Sequence, residues 1–96
     1  MRHHILAKYN QEVKPEQKDQ LADDILHLFE NTKSIPGIHQ VEVHKNCINR
    51  ENRYDILIVI EMDQAALEEY DRCEWHKQWK EEYGKLLEKK AIFDCE

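Results

Sequence analysis

Imidazole and phenol groups are the side chains of this chain best suited to chemistry: it carries six His and four Tyr. His76 follows Tyr70 by six residues. An imidazole titrates near neutral pH and can act as a general base, and a Tyr hydroxyl beside it can hold or polarise a substrate carbonyl. The chemistry requires the two groups within hydrogen-bond reach, which spacing alone does not establish. The competing reading is structural. His76 then caps or packs at a helix start, and Tyr70, at core spacing with Ala66 and Leu67, buries its ring and satisfies its hydroxyl at the edge.

A second grouping consists of His4, Glu42, His44 and His76. Two imidazoles and a carboxylate can bind a divalent ion. No His-x-His or His-x-x-x-His pairing supports that, so no metal site and no cofactor are expected. Cys47, Cys73 and Cys95 are widely spaced, odd in number and lack a Cys-x-x-Cys pair, and they read as free thiols. Trp75 and Trp79, four residues apart, read as a packing stripe of a helix in preference to a ligand platform.

The elements that must position these groups follow from periodicity. Arg2 to Tyr9 alternates as a strand, with His4, Leu6 and Lys8 on one face and Ile5, Ala7 and Tyr9 on the other. Pro15 suits the first turn of a helix, whose apolar stripe is Leu21, Ala22, Ile25, Leu28 and Phe29. Ser34-Ile35-Pro36-Gly37 ends it and turns the chain. Ile38 to Lys45 is a second strand, in which plain alternation sets His39, Val41 and Val43 opposite Gln40, Glu42 and His44. Tyr54 to Met62 is a third. Asp63 reads as the N-cap of a helix with Ala66, Leu67 and Tyr70 inward. Helix is expected again from Trp75 to Leu87, with Gly84 its weak point, and Lys90 to Cys95 is a last strand.

Ile56-Leu57-Ile58-Val59-Ile60 is the most informative local pattern. A strand apolar at every position is covered on both faces. Helices on one side of a sheet cover only one, and a second copy of the same sheet is the simplest cover for the other. The order strand, helix, strand, strand, helices, strand is the βαββαβ arrangement of ferredoxin-like folds: α+β, with a four-stranded antiparallel sheet and helices on one face. Ninety-six residues make one domain, residues 1–96.

The net charge of −6 argues against nucleic acid, whose phosphates such a field repels. No apolar run approaches the roughly 20 residues that span a bilayer, so no membrane is expected. Nothing before the first strand reads as a signal peptide, and a cytoplasmic location is expected.

Several segments together resemble one family. His4-Ile5-Leu6 on the first strand, Ser34-Ile35-Pro36-Gly37-Ile38 followed by Val41-Glu42-Val43, Tyr54-Asp55 before the aliphatic strand, Glu69-Tyr70 ahead of His76 and the closing Ile92-Phe93-Asp94 are similar, in order and spacing, to the stress-responsive α/β-barrel (Dabb) domains. The likeness covers nearly the whole chain. It implies a homodimer in which two sheets face each other in an α/β barrel. It also implies a pocket, here assigned to His4, Leu6, Glu42, His44, Tyr70 and His76. Catalytic relatives of this kind include plant polyketide cyclases, in which a Tyr and a His of the second helical region do acid–base work. By motif position those roles fall on Tyr70 and His76, with His4 nearby. The family often has His-Pro-x-His where this chain has Cys73-Glu74-Trp75-His76, so only the last His is kept.

The expected function is a dimeric binder of a small apolar or aromatic molecule. The alternatives are a lyase, cyclase or isomerase using His76 and Tyr70, a haem or quinol mono-oxygenase, and a structural, stress-protective dimer.

Overall fold

A computed structural model describes residues 1–96. Four strands form one antiparallel sheet: β1 (Arg2–Tyr9), β2 (Ile38–Lys45), β3 (Ile56–Met62) and β4 (Leu87–Cys95), in the order β2-β3-β1-β4. β1 and β3 are therefore central, as a strand without a polar gap in its middle requires. The long helix α1 (Lys18–Glu30) and the short helices α2 (Leu67–Arg72) and α3 (Glu74–Gln78) cover one face. Pro15 opens a single 3-10 turn that leads into α1, where its missing N–H costs nothing.

The core lies between helices and sheet. Ile5, Ala7 and Tyr9 of β1 and Ile56, Ile58, Ile60 and Met62 of β3 meet Ala22, Ile25, Leu28 and Phe29 of α1. Trp79 closes the layer, its ring 5.3 Å from that of Phe29 and edge-on to it. Fully burying each such aliphatic side chain contributes about 1.5–3 kcal/mol.

Between α1 and β2 the chain turns at Ile35-Pro36-Gly37-Ile38, where the Ile38 N–H donates to the Ile35 carbonyl at 3.1 Å. Gly37 has φ +93°, and a Cβ there would sit 3.1 Å from the Cβ of Ala66. Proline at the second position and a left-handed glycine at the third are what this turn requires.

Four details differ from the sequence reading. Asp63 does not cap the following helix through its side chain; its carboxylate accepts from His39 Nε2 at 3.0 Å, and its backbone carbonyl takes the Ala66 N–H. The expected helix from Trp75 to Leu87 is broken up. α3 ends at Gln78, a π-helical turn covers Trp79–Tyr83 and a 3-10 turn covers Gly84–Leu86. The wider turn stacks Tyr83 on Trp79, with ring centroids 5.7 Å apart. As a result β4 begins at Leu87, three residues before the expected Lys90. Finally, β2 carries an extra residue: Ile38 pairs with Met62 and Gln40 with Glu61, leaving His39 out of register. His39 therefore does not share the face of Val41 and Val43.

The uncovered face is chemically mixed. Arg2, His4, Leu6 and Lys8 alternate outward from β1, next to Leu57, Val59 and Glu61 of β3 and Ala91 and Phe93 of β4. Phe93 is 64% exposed, although it is paired with the central strand β1 opposite His4.

Candidate functional site

The helix-covered face of β1 begins two residues before Ile5, at His3, which is 5% exposed. Its Nδ1 lies 2.5 Å from Oδ1 of Asp94 on β4, so the imidazole N–H donates to a carboxylate that is itself exposed. The His3 ring meets the Tyr70 ring edge-on at 5.4 Å. On its other side Tyr70 lies 4.8 Å from the His76 ring. Three rings and a carboxylate thus form one row, running from β4 through β1 to α2 and α3.

Local structure fixes His76. The chain breaks its helix at Cys73, which is extended, and Sγ of Cys73 accepts the His76 backbone N–H at 3.3 Å as the cap of α3. The His76 side chain turns back toward α2, where Nδ1 lies 3.0 Å from the Asp71 carbonyl. A carbonyl only accepts, so Nδ1 carries the proton and Nε2 of the neutral ring keeps its lone pair. Burial lowers the His76 pKa below its ordinary value; Lys80 and Lys90 add to this, and the bond to Asp71 and the Asp71 charge oppose it. The ring is therefore a neutral base at physiological pH.

Tyr70 is wholly buried and its hydroxyl has no hydrogen-bond partner. Burial, followed by the neighbouring Cys73 and Asp71, pushes this phenol far above its ordinary range, so it is a neutral donor with nothing to donate to. Such a group costs about 1–3 kcal/mol when left unpaired. It is not satisfied at an edge, as core spacing alone suggests.

The six residues assigned from sequence to one pocket divide between two faces. Tyr70 and His76 lie together on the helix side. His4, Leu6, Glu42 and His44 lie on the uncovered side of the sheet. His4 Nδ1 donates to the Phe93 carbonyl at 3.2 Å, and its ring packs against Phe93 at 6.3 Å. Arg2, His4, Gln40, Glu42, Val59 and Glu61 line one shallow cleft of about 330 Å³ there. Leu6, His44, Tyr54 and Leu57 help line another of about 340 Å³. The partner of Tyr70 on β1 is thus His3 and not His4, because adjacent strand residues point to opposite faces. The parity of Ile5, Ala7 and Tyr9 was the available signal for His3. Asp94 had no such signal, since its place depends on the pairing of two strands that are distant in sequence.

No group of three or more His, Cys, Asp or Glu side chains is arranged to hold a metal ion. The clefts of the uncovered face and a third beside α1 are lined by neither Tyr70 nor His76. The row nevertheless reaches solvent at its ends, through exposed Asp94 and half-buried His76.

The model of the stress-responsive A/B barrel domain matches residues 1–96. The chain belongs to this family. Solved structures agree on the fold. A dimeric Bacteroides fragilis protein of unknown function with a ferredoxin-like fold is 22% identical, with TM-score 0.79 over 99% of this chain and 93% of that one. An Arabidopsis thaliana protein is 20% identical, with TM-score 0.75 over 99% and 92%. A hydroxynitrile lyase from Passiflora edulis is 15% identical, with TM-score 0.69 over 96% and 87%. No curated protein sequence matches. This Dabb chain therefore shares its architecture with proteins of which at least one is an enzyme. No helix of it is long and apolar enough to cross a membrane.

Proposed function

We propose that this Dabb domain works as a homodimer that binds a small apolar or aromatic molecule bearing a carbonyl or hydroxyl group. The polar end of the ligand is met by Tyr70 and His76. The observation that carries the proposal is the pairing of the two rings at 4.8 Å with the Tyr70 hydroxyl unpartnered. A ligand oxygen accepts from the phenol, which removes an unpaired buried donor. The apolar remainder packs among the side chains beneath α2. The ligand enters by displacing packed side chains, since the two rings line none of the three clefts.

The same arrangement suits proton transfer. Nε2 of a neutral His76 takes a proton from a hydroxyl or an acidic C–H of the ligand, and the neutral phenol donates a hydrogen bond to the oxygen on which negative charge grows. His3, held by Asp94, supplies a second imidazole on the far side of the phenol. A lyase, cyclase or isomerase reaction would use these steps, and one structural neighbour is named as a lyase. Dimerisation is supported by Phe93, exposed on the uncovered face, and by neighbours described as dimeric.

A second reading, a structural dimer without a ligand, is favoured by the close packing of the Tyr70 and His76 rings outside the three clefts described above. Native mass spectrometry of gently purified protein separates the two. Binding predicts a dimer carrying extra mass, lost in Tyr70→Phe and His76→Ala with the fold unchanged by circular dichroism. An empty dimer that takes up no aromatic carbonyl compound from a panel would sink the binding reading. A Soret band unchanged on adding haem would remove the mono-oxygenase alternative.

A further inference from the structure

The third cleft lies at the opposite end of β1 from His3. It has a volume of about 220 Å³, enclosed by the start of α1 and by the connection between β2 and β3, with Tyr9 in its wall. Drug-sized sites typically run to roughly 300–1,000 Å³, so this one suits a small acid or a headgroup.

Its charge is opposite to that of the chain. Four cations, Lys18, Lys45, Arg50 and Arg53, line it with two carboxylates, Asp19 and Asp55, in a protein of net charge −6. Both carboxylates are engaged. Asp55 takes Lys18 Nζ at 2.9 Å and the Tyr9 backbone N–H at 2.8 Å, and Asp19 takes Lys45 Nζ at 3.1 Å. The two guanidinium groups have no carboxylate partner; Arg53 donates only to the neighbouring Asn52 side chain. The loop that presents them is tied down. Asn46 bonds the Tyr54 carbonyl and the Ile48 N–H through its side chain, its own N–H reaches the Asp55 carbonyl, and the Lys8 ammonium holds the Glu51 carbonyl. An ordered loop presents its cations with little further ordering to do on binding.

A separate observation points to the same place. Tyr9 is 6% exposed, lines the cleft and has a buried hydroxyl without a partner. Burial, aided by the Asp55 charge, pushes this phenol up to about 12, so it is a neutral donor in need of an acceptor.

We propose that this cleft is a second binding site, for the oxyanion group of a small phosphate- or carboxylate-bearing molecule held by Arg50 and Arg53. The planar guanidinium forks match both anions in bidentate geometry. The Tyr9 hydroxyl joins them when the anion displaces the side chains that cover it.

The test is a titration of isotope-labelled protein, followed through its amide resonances, with inorganic phosphate in one arm and succinate in the other. Sodium chloride keeps ionic strength constant. Saturable shifts centred on Tyr9, Lys18, Arg50 and Arg53 are expected in at least one arm, and the responding arm names the anion. Arg50→Gln with Arg53→Gln should weaken the response at least tenfold, and Tyr9→Phe several-fold. Shifts that do not saturate, that sodium chloride alone reproduces, or that persist unchanged in the double variant would overturn the site. If the double variant alters the wider spectrum, Tyr9→Phe decides by itself. Tyr70→Phe should bind phosphate or succinate as the wild type does, so the fate of this site is separable from that of the Tyr70–His76 site.

Discussion

The two faces of one sheet have been finished to different degrees. On the helix side Ile58 has 0% of its surface exposed and sits among Ile5, Ile60 and Phe29. On the other side Leu57, its neighbour in sequence, is only half-buried and lies in a field of Arg2, His4, Lys8, Glu42 and Glu61 with Phe93 standing free. The first face is complete within one chain. The second has apolar groups at its centre and charges around them, the composition of an interface core and its rim. A strand apolar at every position therefore records two separate burial events. One is folding, and the other, on our proposal, is association.

The largest expected effect tests the finished face. Ile58→Ala should destabilise the chain by about 2–5 kcal/mol in chemical denaturation, because it opens a cavity in a core that cannot collapse into it. Leu57→Ala should cost clearly less at protein concentrations low enough to favour monomers. Equal costs would mean that the uncovered face is already packed within one chain.

Next in size is association itself. Phe93→Asp should leave the far-ultraviolet circular dichroism unchanged and raise the dimer dissociation constant at least 100-fold, which corresponds to about 2.7 kcal/mol. Sedimentation that shows the variant still dimeric at micromolar concentration would place the contact elsewhere.

A smaller effect of opposite sign is expected at Tyr70. Removing an unpaired buried hydroxyl in Tyr70→Phe should stabilise the free protein by about 1 kcal/mol while abolishing ligand capture. A destabilised variant would show that the hydroxyl has a partner in solution, such as a bound water.

The smallest effect concerns His76. Its pKa is lowered by folding, so the unfolded chain binds the proton more readily than the folded one. Stability from this group is complete above the unfolded value near 6.5 and declines as pH falls from there through the lower folded value. The ring resonances of His76 should titrate with a midpoint below 6.5, and His76→Gln should flatten the stability profile over that acidic interval. A midpoint above 6.5 would mean that burial does not dominate at this ring.

The elements and their order were legible because the apolar periodicities of β1, α1 and β3 are strong and local. The Pro36-Gly37 turn was legible for the same reason. The second helical region was less so. Trp75, Trp79 and Tyr83 keep helical spacing, yet the backbone widens into a π turn so that Tyr83 can stack on Trp79, and tertiary packing overrides the local pattern. The Tyr70–His76 neighbourhood was found through the family likeness, and its position on the helix side now has a geometric basis. The error at β1 was one residue, which in a strand moves a side chain to the other face. His3 and His4 are chemically identical in sequence and separated in space by the whole thickness of the sheet. Asp94 was out of reach of any local reading, because its contact with His3 joins the two ends of the chain.

The extra residue of β2 sets how the chain tolerates changes of length. Ile38 and Val41 are both buried although they stand three positions apart, a helix-like interval within a strand. Upstream of His39 the strand keeps step with the Pro36-Gly37 turn, and downstream it keeps step with Ile58 and Ile60. His39 is thus a spare unit between two segments with independent phase. Deleting it should leave every inward side chain facing inward, at the loss of one exposed hydrogen bond to Asp63. The same deletion at Glu42 would turn every following side chain of β2 to the opposite face.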